Sequence, residues 1–184
     1  AVAFNPIDPT FIINGNDGGI NISTNGGQNF SLPKNIPATQ FYEIGLDYNN
    51  PEKLYGGTQD NGTNRTPDGS LDGWENIWGG DGFYAVVDYN NSNIIYAESQ
   101  NGGLVKSTDG GFGWSDGTNG INGSEPTNWS TPVVMDPNTS DILYYGTHSL
   151  YRTTDGAENW IKISPQLTDW VSGRRLGTIT TIAA

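Results

Sequence analysis

The sequence holds no cysteine, one histidine and one methionine in 184 residues, and Lys plus Arg total 8 against 20 Asp plus Glu. Without cysteine there are no disulfides, thiolate metal sites or cysteine nucleophiles, although the compartment stays open because exported bacterial proteins also do without the residue. A single histidine, His148, excludes a His-rich metal site. The formal charge of −12 repels phosphate backbones and anionic membrane surfaces, so no nucleic-acid partner is expected. No stretch approaches the roughly 18 to 20 apolar residues of a membrane helix, and no basic-then-apolar leader opens the chain. A soluble, processed segment without membrane insertion is expected.

Helix formers are scarce as well. In their place stand 26 Gly, 10 Pro and many Asn, Asp, Ser and Thr, which leave only short stretches between turn signals. This is an all-β composition. The 6 Trp, 9 Tyr and 6 Phe argue against disorder, because disordered chains lack the large apolar groups that offset ordering entropy. The length suits one ordinary domain.

The chain repeats itself. AVAFNPIDPTFIINGNDGG from Ala1, IGLDYNNPEKLYGGTQDNG from Ile44, AVVDYNNSNIIYAESQNGG from Ala85 and VVMDPNTSDILYYGTHS from Val133 each read as an apolar strand, an Asp/Asn turn and a second apolar strand ending in a polar loop. With Asn5, Asp47, Asp88 and Asp136 as anchors the spacings are 42, 41 and 48 residues, which suit four short strands per unit and match the period of a propeller blade.

A second signature follows each anchor: STNGGQNF at 23–30, STDGGFGW at 107–114, TTDGAENW at 153–160 and a degenerate, one-residue-longer TPDGSLDGW at 66–74. Its physics is local. The Asn or Asp (Asn25, Asp68, Asp109, Asp155) accepts backbone N–H bonds inside a turn, Gly supplies positive φ, and the aromatic (Phe30, Trp74, Trp114, Trp160) packs beneath the hairpin. Such a unit closes a hairpin and needs no ligand.

These residues resemble the Asp box, or BNR repeat, of β-propellers, in four copies covering nearly the whole chain. GNDGG at Gly15, YGGTQDNGT at Tyr55 and WGGDGF at Trp78 further resemble secreted bacterial propellers related to the sortilin (Vps10) group and to xyloglucan-cleaving glycosidases. The expected fold is an all-β propeller of four-stranded antiparallel blades, with about four blades at 1–36, 37–78, 79–126 and 127–172. Residues 173–184 would begin a further blade. Closed propellers need typically 4 to 8 blades, so the remaining blades are expected from a longer chain or another subunit. The resemblance implies a secreted or cell-surface bacterial protein. Eight N-x-S/T sequons follow from composition and add little.

With strands labelled A to D, propeller B–C and D–A loops share one face, and the Asp boxes, being C–D turns, lie on the other. The ligand face would present Asn16, Asp17, Gln59, Asp60, Asn61, Glu98, Gln100 and His148 from B–C loops, and Gln40, Trp78, Asp81, Trp129, Arg174 and Arg175 from D–A loops. Carboxylates and amides among Trp rings suit carbohydrate, whose C–H faces stack on aromatics while its hydroxyls take paired hydrogen bonds. Asp17, Asp60 and Asp81 sit beside glycines and could equally close Asx-type turns. Trp78 and Trp129 could equally pack between blades, and His148 could serve packing alone.

Two function classes stand beside a scaffold role in a larger assembly. A glycoside hydrolase would use two carboxylates, with Asp60 and Asp81 as candidates. A non-catalytic module would bind a glycan or protein on the loop face, and is favoured because the carboxylate pair of a two-propeller glycosidase comes partly from elsewhere. A sialidase is rejected: the only arginines are Arg65, Arg152, Arg174 and Arg175, and no FRIP-like segment is present. No cofactor is expected, and calcium has no EF-hand-like spacing to support it.

Overall fold

The structure is a computed structural model that describes residues 1–16, 19–32, 39–168 and 177–184. Among the described residues fifteen strands form one three-stranded and three four-stranded antiparallel sheets. The chain divides into two compact units, Ala1–Ala38 and Thr39–Ala184.

In the first unit β1 (Val2–Phe4), β2 (Ile12–Asn16) and β3 (Gly19–Ser23) make a meander, with Phe4 opposite Ile12 and Ile12 opposite Ser23. Asn5 closes the β1–β2 turn by accepting the N–H groups of Ile7 and Asp8. Where a fourth strand was expected, the described residues make a single bridge between Ile22 and Ser31.

The second unit contains three sheets of four consecutive strands. The first comprises β4 (Glu43–Leu46), β5 (Leu54–Thr58), β6 (Gly62–Thr66) and β7 (Glu75–Trp78). The middle sheet comprises β8 (Gly82–Val87), β9 (Ile95–Ser99), β10 (Gly103–Ser107) and β11 (Ser115–Asp116). The last comprises β12 (Val133–Met135), β13 (Leu143–Gly146), β14 (Leu150–Thr153) and β15 (Ile161–Lys162). Residues 177–184 contribute no strand, although Ile179 N–H donates to the Thr147 carbonyl at 2.8 Å and its side chain covers Gly146.

Each turn type repeats because its anchor side chain does. Asp47, fully buried, accepts the N–H groups of Asn49 and Asn50 and the Ser92 hydroxyl, so it closes its own turn and ties it to the next sheet. Asp88 and Asp136 close the corresponding turns. After the third strand of each sheet, a Ser or Thr hydroxyl and an Asp or Asn carboxamide or carboxylate share the turn. Asp109 accepts Ser107 Oγ at 2.8 Å and Gly113 N–H at 2.8 Å; Asp155 accepts Thr153 Oγ1 at 2.7 Å and Asn159 N–H at 2.9 Å. Asn25 in the first unit does the same with Ser23 and Asn29. Asp68 in the longer copy accepts Ser70 N–H. The Asn159 amide, Thr153 and Asn159 N–H hold the Asp155 carboxyl down at about 2, as expected of a group committed to backbone donors.

The sheets pack face to face. Tyr55 of one meets Ala85, Val87 and Ile95 of the next; Tyr96 and Leu104 meet Val133, Leu143, Tyr145, Tyr151 and Trp160. Gly45 and Gly57 lie so close to the backbone of Ala85 and of Gly82–Phe83 that no Cβ fits at either position. The turn tryptophans lock each junction: Trp114 Nε1 donates to the Ile77 carbonyl at 2.9 Å and Trp160 Nε1 to the Gly117 carbonyl at 2.7 Å, each reaching back to the preceding sheet. Trp74 instead packs against Phe41, ring centroids 5.0 Å apart.

Trp160 is 4% exposed, so Trp160→Ala empties a filled junction and strands the Gly117 carbonyl. A loss of about 3–5 kcal/mol is expected in urea unfolding. Phe112→Ala, at an 85% exposed position in the adjacent turn, should cost well under about 1 kcal/mol.

Candidate binding face

In the second unit the β5–β6, β7–β8, β9–β10, β11–β12 and β13–β14 connections hold most of the candidates, and hydrogen bonds tie neighbouring connections together. Asp60 N–H donates to Asp81 Oδ1 at 2.7 Å, and Asp81 N–H to Gln100 Oε1 at 2.8 Å. Gln100 N–H returns a bond to the Asp81 carbonyl, and Asn101 N–H donates to the Trp129 carbonyl at 3.1 Å. Asp60 and Asn101 both sit at φ +61°, a left-handed conformation that Asp and Asn tolerate better than other side chains.

This brings the two proposed catalytic residues together with unequal freedom. One Asp81 oxygen caps the Asp60 backbone, while the exposed Asp60 side chain has no hydrogen-bond partner among the described residues. Gln59 accepts the Tyr42 hydroxyl at 2.5 Å. Asn61 donates to the Gln59 carbonyl, and its own carbonyl accepts Asn64 and Asn76, so Asn61 stabilises the turn.

Trp78 is half-buried with its ring 5.7 Å from that of Trp114, which makes it a packing residue at the junction of two sheets. Trp129 is 46% exposed and presents its ring edge-on to Phe83, centroids 6.0 Å apart at 81°. Phe83 is buried and stacks at 4.9 Å and 16° on Tyr42, itself 39% exposed. Tyr42, Phe83 and Trp129 therefore form one aromatic run across the loops, of which only Trp129 was anticipated from the sequence. Asn16 ends β2 in the first unit, exposed. Asp17, Arg174 and Arg175 lie outside the described residues.

Glu98, expected on the rim, is instead fully buried. Its Oε1 accepts Thr131 N–H at 3.0 Å and its Oε2 has no hydrogen-bond partner. Burial pushes its carboxyl up to about 9 against the opposing pull of the Thr131 N–H, so it is neutral at pH 7. Out of reach of a surface ligand, it serves the interior.

His148 belongs to a cluster that the sequence did not announce. Glu125 Oε2 accepts Thr147 Oγ1 at 2.6 Å and lies 3.3 Å from His148 Nε2, while Oε1 accepts Lys162 Nζ at 2.7 Å. Burial opposes ionisation of Glu125, but these donors together with Tyr151 and the His148 charge bring its carboxyl down to about 2. The cluster fastens the β11–β12 connection to the last sheet. Among the described residues no three His, Asp or Glu side chains gather as metal ligands, and no helix is long and apolar enough to cross a membrane.

No protein-family profile and no curated protein sequence matches the chain. Solved structures do. An ancestral GH74 enzyme is similar at 21% identity and a TM-score of 0.58, over 90% of this chain and 24% of that one. The β-propeller domain of Cps50 (Swd1) from Myceliophteria thermophila is similar at 15% identity and a TM-score of 0.51, over 91% of this chain and 56% of that one. The fold is that of a partial β-propeller. The chain spans about a quarter of the GH74 enzyme and about half of the Swd1 propeller, and the sheets are its blades.

The two buried glutamates give stability opposite slopes with pH. Glu98 is raised from the ordinary 4.5 to about 9, so between these values the native state keeps a proton that the unfolded chain releases, and stability falls as pH rises. Glu98→Gln should flatten that fall, by at most about 1.4 kcal/mol per pH unit. Glu125 is lowered from 4.5 to about 2, so its contribution is present above 4.5 and lost as pH falls toward 2. Glu125→Gln should remove this acid-limb loss while leaving the alkaline limb unchanged, in urea midpoints measured from pH 3 to 9.

Proposed function

We propose that the chain is a non-catalytic binding segment of an exported propeller of the Asp-box type, and that it holds a glycan or protein ligand on the loop face of the second unit. The observation that carries this reading is the aromatic run Tyr42–Phe83–Trp129, whose two exposed rings are fixed from below by buried Phe83 and bordered by Gln59, Asp60, Asp81 and Gln100. Rigid aromatics beside hydrogen-bonding groups supply contact area at low entropic cost.

The hydrolase alternative draws on the likeness to a GH74 enzyme, which extends to fold alone at 21% identity. A glycosidase needs two carboxyl groups free to flank a scissile bond. Asp81 spends one oxygen on the Asp60 N–H, and this commitment weighs against it.

The two readings part on one pair of variants assayed with xyloglucan oligosaccharides and with protein ligands captured on the intact chain. Asp81→Asn keeps an acceptor for Asp60 N–H and should keep the native urea midpoint, with no turnover in either protein. Trp129→Ala should weaken binding by about tenfold, roughly 1.4 kcal/mol, the range for losing one aromatic contact. Oligosaccharide cleavage by the native chain, abolished in Asp81→Asn, would establish the hydrolase instead.

A further inference from the structure

We infer that the group seated against the aromatic run is the cationic side chain of a basic protein segment, an arginine or lysine, rather than a sugar ring. The inference rests on the binding reading above and specifies its ligand.

Ring geometry is the first argument. Tyr42 lies nearly parallel to Phe83, at 16°, and Trp129 nearly perpendicular to it, at 81°. The two exposed rings are therefore steeply inclined to one another. A pyranose stacks best along one flat platform, which two steeply inclined rings do not offer, whereas a compact cation needs only the face of one ring.

Charge is the second argument. The five segments that build the face, 40–43, 59–61, 79–83, 98–102 and 127–131, contain Glu43, Asp60, Asp81 and Glu98 and not one Lys, Arg or His. Glu98 is buried away from the surface, which leaves Asp60 and Asp81 as the acidic side chains of the exposed loops. Among the described residues only one oxygen of Asp81 is spent internally and the exposed Asp60 carboxylate has no hydrogen-bond partner, so both can receive a guanidinium or ammonium. A chain carrying −12 overall adds long-range attraction for such a segment. A neutral glycan gains hydrogen bonds from these carboxylates but no net-charge attraction, whereas a cationic side chain gains both.

Three probes test the inference on the intact chain by tryptophan fluorescence and calorimetry: a blocked Gly-Gly-Arg-Gly-Arg-Gly-Gly peptide, the same peptide with citrulline for arginine, and cellohexaose. The arginine peptide should bind at least about tenfold more tightly than its neutral citrulline counterpart, and weaken steeply as salt rises. Trp129→Ala and Asp60→Asn should each weaken it by about threefold or more. Asp60→Asn suits the left-handed backbone and Trp129 is exposed, so both variants should keep the native urea midpoint. Equal affinity for the citrulline peptide would overturn the cationic ligand. Salt-independent binding of cellohexaose that depends on Trp129, with no binding of the arginine peptide, would overturn it too while leaving the binding face standing. Failure of all three probes to perturb Trp129 would overturn both.

Discussion

Sheets of a propeller share no main-chain ladder, so the structure depends on how closely one sheet face can settle on the next. At the first junction of the second unit that approach is set by glycine: Gly45 and Gly57 press directly on the backbone of the following inner strand. The outer part of each junction is set by tryptophan. Trp114 and Trp160 each donate to a carbonyl at the edge of the preceding sheet while filling the space between hairpins. Close contact inside and an indole wedge outside fix the angle between sheets, and with it the spacing of the loops above.

Those loops then behave as one surface because backbone groups pass hydrogen bonds between them. Asp60, Asp81, Gln100, Asn101 and Trp129 belong to four connections, yet each is held by the next. Phe83, wedged under Tyr42 and Trp129, is buried against the same glycine contact that sets the junction. The exposed rings thus inherit their rigidity from the sheet packing, and preorganisation of this kind is what a binding face requires.

Much of the fold was legible in the sequence because the turns are self-contained. An Asp that closes its own turn, or a Thr-x-Asp that shares one, needs no knowledge of distant residues, and the spacing of such turns gave the strand count of the three complete sheets. In the first sheet the described residues after β3 make a lone Ile22–Ser31 bridge, which no turn motif could forecast. The face was only partly legible. Aligning the second strands sets Glu98 level with Gly57 and Gly146, both closely covered positions, and sets Gln59, Gln100 and His148 level with one another at the rim. Glu98 therefore carried its signal in the repeat, whereas Glu125 and Lys162, joined across 37 residues by a long connection, carried none. Tyr42 and Phe83 read as ordinary strand residues until the sheets are stacked.

The most direct test of the binding face is amide hydrogen exchange across the intact chain, with and without the arginine peptide and, separately, cellohexaose. Protection confined to residues 59–61, 79–83, 100–102 and 127–131 is the result this structure predicts. Protection centred on the turns at 67–73, 109–113 and 155–159, on the opposite ends of the hairpins, would contradict it and move the function to the other face.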